Sequence, residues 1–198
     1  MGALAVRRRR TMAIVAIVVV GVALAAGVGV AAWPRHDHRP LVRLVQHVPD
    51  DVEREARAAV ARFASVFAAR RGCIPTAEVV LVREIEGGDA RYLAEDAIVE
   101  IQIPTTPARF RESLVHELAH HVELTCPAFG ELRAAWLAGV AETAWSGQER
   151  WEDRPSEQWA ETVVEIVLGE RRLHGDEMSL DAERSAAAAA WIAGDASR

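Results

Sequence analysis

Lysine is absent from this chain: all 23 basic side chains are arginines, set against 29 aspartates and glutamates. The formal net charge is −6, and no stretch interleaves the arginines with aromatic residues in the manner of a nucleic-acid surface. Nucleic acid is therefore not expected as a partner. Cysteine is limited to Cys73 and Cys126. Neither has a second Cys or His beside it at finger spacing, which excludes a structural zinc finger. Tyrosine is rarer still, with Tyr92 alone. No internal repeat is present, so solenoid architectures drop out. The abundance of Ala, Arg and Val reads as the codon usage of a GC-rich bacterial genome and carries no chemistry of its own.

What the chain does contain is the run Leu114-Val115-His116-Glu117-Leu118-Ala119-His120-His121-Val122. HExxH on a helix puts two imidazoles on one face, within reach of a single zinc ion. The glutamate between them can take a proton from an attacking water. The neighbours Leu114, Val115, Leu118, Ala119 and Val122 are apolar, as a helix lying against a core requires. Thr106 is placed as N-cap of this helix and Pro107 in its first turn, and Cys126-Pro127 ends it. His121 points about 100° away from His120 around the helix, so it reads as a packing or supporting residue.

A second element follows at Pro155-Ser156-Glu157-Gln158-Trp159-Ala160-Glu161-Thr162-Val163-Val164-Glu165-Ile166-Val167. Pro155 or Ser156 can open a helix, and Trp159, Val163, Ile166 and Val167 recur at the spacing of a buried face. Glu157 and Glu161 share one stripe. A catalytic zinc takes three protein ligands and keeps a fourth position open, so a carboxylate from this helix would complete a His2Glu set. Together the two segments resemble the gluzincin metallopeptidases, in which HExxH is followed by ExxAE, as in small single-domain gluzincins. The resemblance covers about residues 95–170. It implies that His116, His120 and Glu157 bind Zn2+, that Glu117 is the general base, and that Glu161 supports the site from behind. The choice between Glu157 and Glu161 as third ligand rests on this resemblance.

Residues 12–33 form an uncharged apolar run, bracketed by Arg7–Arg10 before it and Trp33-Pro34-Arg35 after it. A run of that length can span a hydrocarbon core of about 30 Å. A cleaved secretory signal is the alternative, since Ala23-Leu24-Ala25 and Gly29-Val30-Ala31 offer small-residue cleavage sites. The arginine cluster places the N-terminus in the cytoplasm and the body outside it, on a single-pass membrane protein. In that oxidising setting Cys73 and Cys126 can form a disulfide; two unpaired buried thiols are the other reading.

The expected domain plan is a basic segment over residues 1–11, the apolar span over 12–33, a Pro-containing linker over 34–49 and one catalytic domain over 50–198. His36-Asp37-His38 in the linker is a weak metal-binding candidate and otherwise a solvated stretch. Asp50 opens a helix that runs to about Arg71. Glu78–Arg83 reads as a central strand, Gly87-Gly88-Asp89 as a turn, and Ala97–Ile103 as a second strand. That second strand directly precedes the zinc helix, where gluzincins carry the edge strand that pairs with substrate; an ordinary half-exposed strand is the alternative. Leu132, Trp136, Val140 and Thr143 mark another helix, and a last one spans about Leu180–Ile192 with Trp191 as its anchor.

The expected fold is thus α+β: a small, mostly helical, zincin-like domain with a short sheet beside the zinc helix, behind one N-terminal transmembrane helix. The expected function is zinc-dependent hydrolysis of peptide bonds in a peptide or protein substrate. A non-catalytic, zinc-stabilised binding or scaffolding domain of the cell envelope is the alternative. Tyr92, His121, His174, Arg150 and Arg154 are the groups available to stabilise an oxyanion, and none has a diagnostic spacing.

Overall fold

In the computed structural model, which describes residues 39–46, 48–138, 145–147, 150–173 and 178–195, the β-branched runs form the middle of a small sheet. Strand β1 is Val42–Leu44, β2 is Ala77–Val82, β3 is Ala90–Leu93 and β4 is Ile98–Gln102. Their order is β1-β2-β4-β3; β1, β2 and β4 run parallel, and β3 closes one edge antiparallel to β4. The period-2 alternation decides which face is buried. Ala77, Val79 and Leu81 turn inward with Val99 and Ile101, and Val79 sits opposite Val99 and Leu81 opposite Ile101. The other face carries the cross-strand ion pairs Arg43–Glu78 and Arg91–Glu100.

The helices are α1 (Asp50–Val66), α2 (Pro107–Thr125), α3 (Phe129–Trp136), α4 (Pro155–Leu168) and α5 (Ala182–Ile192), with 3-10 turns at Ala68–Cys73 and Trp151–Asp153. Helix α2 starts where its capping chemistry dictates. The Thr106 hydroxyl accepts from the Arg109 N–H at 3.3 Å, and Pro107 occupies the first turn. It stops at Cys126, which is extended ahead of Pro127. It contacts α1, α4, β3 and β4. Phe110, Leu114, Val115, Leu118 and Val122 are buried along its length. Each large apolar side chain removed from water in this way contributes about 1.5–3 kcal/mol.

Helix α4 begins with Pro155 and ends at Gly169, whose φ of 77° is a left-handed cap that glycine adopts without a Cβ clash. Trp159 is fully buried and fixes the approach of α4 to α2: its indole N–H donates to the Ala119 carbonyl at 3.1 Å, one residue ahead of His120. Phe129 and Trp191 pack around the same indole, with ring centroids at 4.8 and 5.9 Å. Trp191 in turn donates to the Ala128 carbonyl at 3.2 Å, which seats α5.

Several sequence expectations shift here. The segment predicted as a linker over 34–49 contains β1, and Leu41 and Val48 are buried in the core, so the folded unit starts before residue 50. The prolines at either end of that segment disguise a short parallel strand. The strand predicted at Ala97–Ile103 is interior, because β4 lies between β2 and β3; the edge position belongs to β3. Helix α1 ends at Val66 instead of about Arg71 and tightens into the 3-10 turn that reaches Cys73. The apolar run 12–33, His36-Asp37-His38, Val140, Thr143 and His174 lie outside the described residues. Among the described residues no helix is long and apolar enough to cross a membrane.

Cys73 and Cys126 form a disulfide with their Cα atoms 4.9 Å apart and a sequence separation of 53. It ties the end of α2 to the segment that leads into β2. Closing a loop of that length constrains the unfolded chain, which corresponds to about 4 kcal/mol in the chain-entropy treatment. Replacing both cysteines by alanine is expected to lower unfolding free energy by about 2–4 kcal/mol, read from urea titration of oxidised wild type and variant. Coincident transitions would show that the bridge contributes nothing to stability.

Candidate metal centre

His116 and His120 stand one turn apart on α2, and Glu157 comes from the first turn of α4. The two Nε2 atoms are 3.2 Å apart, and Glu157 Oε2 lies 3.1 Å from that of His116 and 3.4 Å from that of His120. These three atoms make a nearly equilateral triangle. Metal–ligand distances of about 2.0–2.1 Å in a tetrahedron require donor separations of roughly 3.3 Å. The donor group therefore fits a small tetrahedral ion and leaves one corner free, and it can hold a metal ion.

Each imidazole is backed by a second carboxylate. His116 Nδ1 lies 2.9 Å from Glu161 Oε1, and His120 Nδ1 lies 3.4 Å from Glu123 Oε1. With a metal ion at the centre, these partners would keep the ring protons on the Nδ1 side and leave both Nε2 lone pairs to the ion, the support usual for metal-bound histidine. Arg171 approaches Glu161 from the far side at 3.7 Å. Glu157 meets both Nε2 atoms, and Glu161 stands behind one ring.

Three contributors were missed from sequence. Glu123 follows His120 by one helical turn, and that spacing was the available signal. Trp151 lies nearly parallel to the His116 ring, with centroids 6.3 Å apart and planes 19° from coplanar; nothing local marks it. Glu112, buried on α2, accepts the backbone N–H groups of Arg172 and Leu173 at 2.9 and 2.8 Å, which ties the chain beyond α4 to the metal helix.

The electrostatics express the crowding of carboxylates. Burial pulls the His116 imidazole down, but hydrogen bonds to Glu157 and Glu161 outweigh it and push the group up to about 9. Burial likewise opposes the charged form of His120, and the carboxylates of Glu123 and Glu157 raise it well above its ordinary value. For Glu157 burial acts upward, and the hydrogen bonds to His116 and His120 overcome it and hold the carboxyl well below the usual range. Without a cation the cluster is held together by protons. Glu117 differs: burial dominates and raises its carboxyl, with the two imidazoles partly opposing.

The cluster opens into a cleft of about 690 Å³. It is lined by His116, Glu117 and His120, by the stretch from Gly88 to Tyr92, and by Trp151, Ser156 and Glu157. Of the remaining sequence candidates, His121 has no exposed surface and does not join the cluster; its ring meets the Tyr92 hydroxyl at 2.8 Å and the Pro75 carbonyl at 3.1 Å. Burial lowers its pKa, with the Pro75 hydrogen bond opposing. Arg150 is bound to Glu152, and Arg154 serves as the residue preceding α4. Comparison of the chain with protein-family models, with curated proteins and with solved structures gives no match.

Two outcomes follow from this geometry. Glu157→Ala is expected to reduce bound metal to well below one ion per chain, while Glu161→Ala weakens binding about 10–100-fold, as loss of a supporting carboxylate does; metal content after dialysis measures both. Equal loss in the two variants would contradict the assignment by reach. In chelator-stripped protein, the His116 proton stabilises the fold fully below its ordinary value of 6.5, and that contribution is lost as pH rises through about 9. The depressed Glu157 acts in the opposite sense, contributing above its ordinary 4.5 and losing this as pH falls. Tm of the stripped protein should therefore decline from pH 6.5 to 9.5; a flat profile would refute the proton-held cluster.

Proposed function

We propose that the protein is a gluzincin-like zinc metallopeptidase that hydrolyses peptide bonds in extended segments of a peptide or protein substrate. The observation that carries this reading is the convergence of His116, His120 and Glu157 on one point, beside Glu117, at the floor of a cleft with an edge strand along its wall. Two imidazoles and one carboxylate at tetrahedral spacing, with an open fourth corner, are the donor set that suits catalytic zinc. The α+β arrangement, with an antiparallel edge strand beside the helix that carries both histidines, is consistent with a zincin-like domain.

Zinc bound there would supply Lewis acidity toward a scissile carbonyl and a water acidic enough to attack near neutral pH. The chain supplies the rest. Glu117 takes the proton of the attacking water on its carboxylate and returns it to the leaving amine. Its burial raises the carboxyl toward the range in which a base both accepts and releases a proton readily. Glu161 and Glu123 hold the two imidazoles in orientation. Among the described residues strand β3 pairs with β4 on one side only, so its other edge can pair with the backbone of an extended substrate. The edge role anticipated for residues 97–103 passes to Ala90–Leu93.

The disulfide suits an oxidising compartment. It supports an extracytoplasmic domain, either anchored through residues 12–33 or released after cleavage there. Glu117→Gln is expected to keep zinc while cleavage of unfolded casein falls by about 10²–10⁴-fold. Zinc-loaded wild-type protein that leaves casein and varied unfolded proteins intact would overturn the peptidase and leave a zinc-stabilised binding or scaffolding domain in its place.

A further inference from the structure

We propose that Tyr92 and His121 form a positioning pair that seats the edge strand of the cleft on the metal helix, and so sets the height at which an extended peptide lies over His116 and His120. The proposal rests on the peptidase reading above and adds residues that reading leaves without a role.

Tyr92 occupies β3, opposite Val99 of β4, in the stretch that lines the cleft. Its hydroxyl lies 2.8 Å from His121 Nδ1, and the two rings meet edge-on with centroids 5.3 Å apart. The other ring nitrogen, Nε2, is 3.1 Å from the Pro75 carbonyl. A carbonyl only accepts, so Nε2 must carry the hydrogen; Nδ1 then offers a lone pair, and the phenol must donate. The Tyr92 hydrogen is committed to His121. It is not held ready for charge developing on a substrate oxygen, which separates this role from that of an oxyanion donor.

The mechanical setting gives the pair its consequence. Strand β3 has four residues and, among the described residues, a strand neighbour on one side only, the kind of element that frays readily. His121 directly follows His120, so a strand tied to it is referenced to the same helical turn as the metal-facing imidazole. The acceptor at the far end is secured as well. Pro75 lies two residues after Cys73, which the disulfide joins to Cys126 at the end of α2. Strand, imidazole, carbonyl and bridge thus form a closed path that returns to the helix it starts from.

The test compares zinc-loaded wild type with Tyr92→Phe, His121→Gln and the double variant, using a fluorogenic peptide drawn from a casein cleavage site. Tyr92→Phe is expected to raise KM about five- to tenfold, the worth of one hydrogen bond, with kcat within about twofold and zinc content unchanged. The double variant should be no worse than the more affected single one, as for two residues acting as one unit. Hydrogen exchange at the amides of Ala90–Leu93 should quicken in Tyr92→Phe by a similar factor. A fall in kcat at unchanged KM would overturn the proposal and place Tyr92 at the reacting atoms. Unchanged exchange in β3 would overturn it whatever the kinetics. Should wild type cleave no probe, the peptidase reading fails by itself, and the exchange measurement still decides whether the pair seats the strand.

Discussion

Two imidazole nitrogens 3.2 Å apart, with a carboxylate oxygen within 3.4 Å of both, bring three polar atoms of α2 and α4 to one point. Glu117, Glu123 and Glu161 crowd the same volume and are buried. Moving ionised groups out of water costs several kcal/mol per ion even after relaxation, and only close opposite charge offsets it. Positive charge at the centre therefore relieves the crowding of carboxylates where α2 meets α4. The surrounding carboxylates favour the charged form of both imidazoles, and a cation at the same point would engage all three donors together.

The rest of the scaffold can be understood as the means of keeping those donors in place. The Trp159–Ala119 hydrogen bond fixes the approach of α4 beside the histidines, and Phe129 and Trp191 pack against the indole. The disulfide secures the far end of α2, and Glu112 secures the chain beyond α4 against its near end. Preorganisation matters chemically because a metal set with one loose member loses affinity, and in the proposed reaction a displaced base would lose its reach to the attacking water. The proposed peptide-aligning role of β3 follows the same logic, since a short strand can align a peptide only if it is itself held.

Much of this was legible in the chain, and the parts that were not share a cause. The HExxH helix, its Thr106 cap, its stop at Cys126 and the buried stripe of α4 depend on spacing within a few residues, and helical periodicity displays them directly. Strands β1 and β3 were overlooked because three or four residues carry little periodicity; pairing with β2 and β4 stabilises them. The edge position was misplaced for the same reason, since sheet order is settled between strands and not within one. Glu123 looked like any acidic residue on a helix until the fold turned it toward His120.

By itself, the sequence determined that two histidines would share a helix face, that two glutamates would share another, and that two cysteines were present to be joined. Only the tertiary structure decided which glutamate meets the Nε2 atoms and which stands behind His116. Those partners are 41 and 45 residues from His116 along the chain, and their assignment depends on how α2 and α4 come together in space. That approach is set by Trp159, Ala119 and the aromatic cluster around them. Local spacing can propose a set of ligands, but the packing of distant side chains determines which atoms converge.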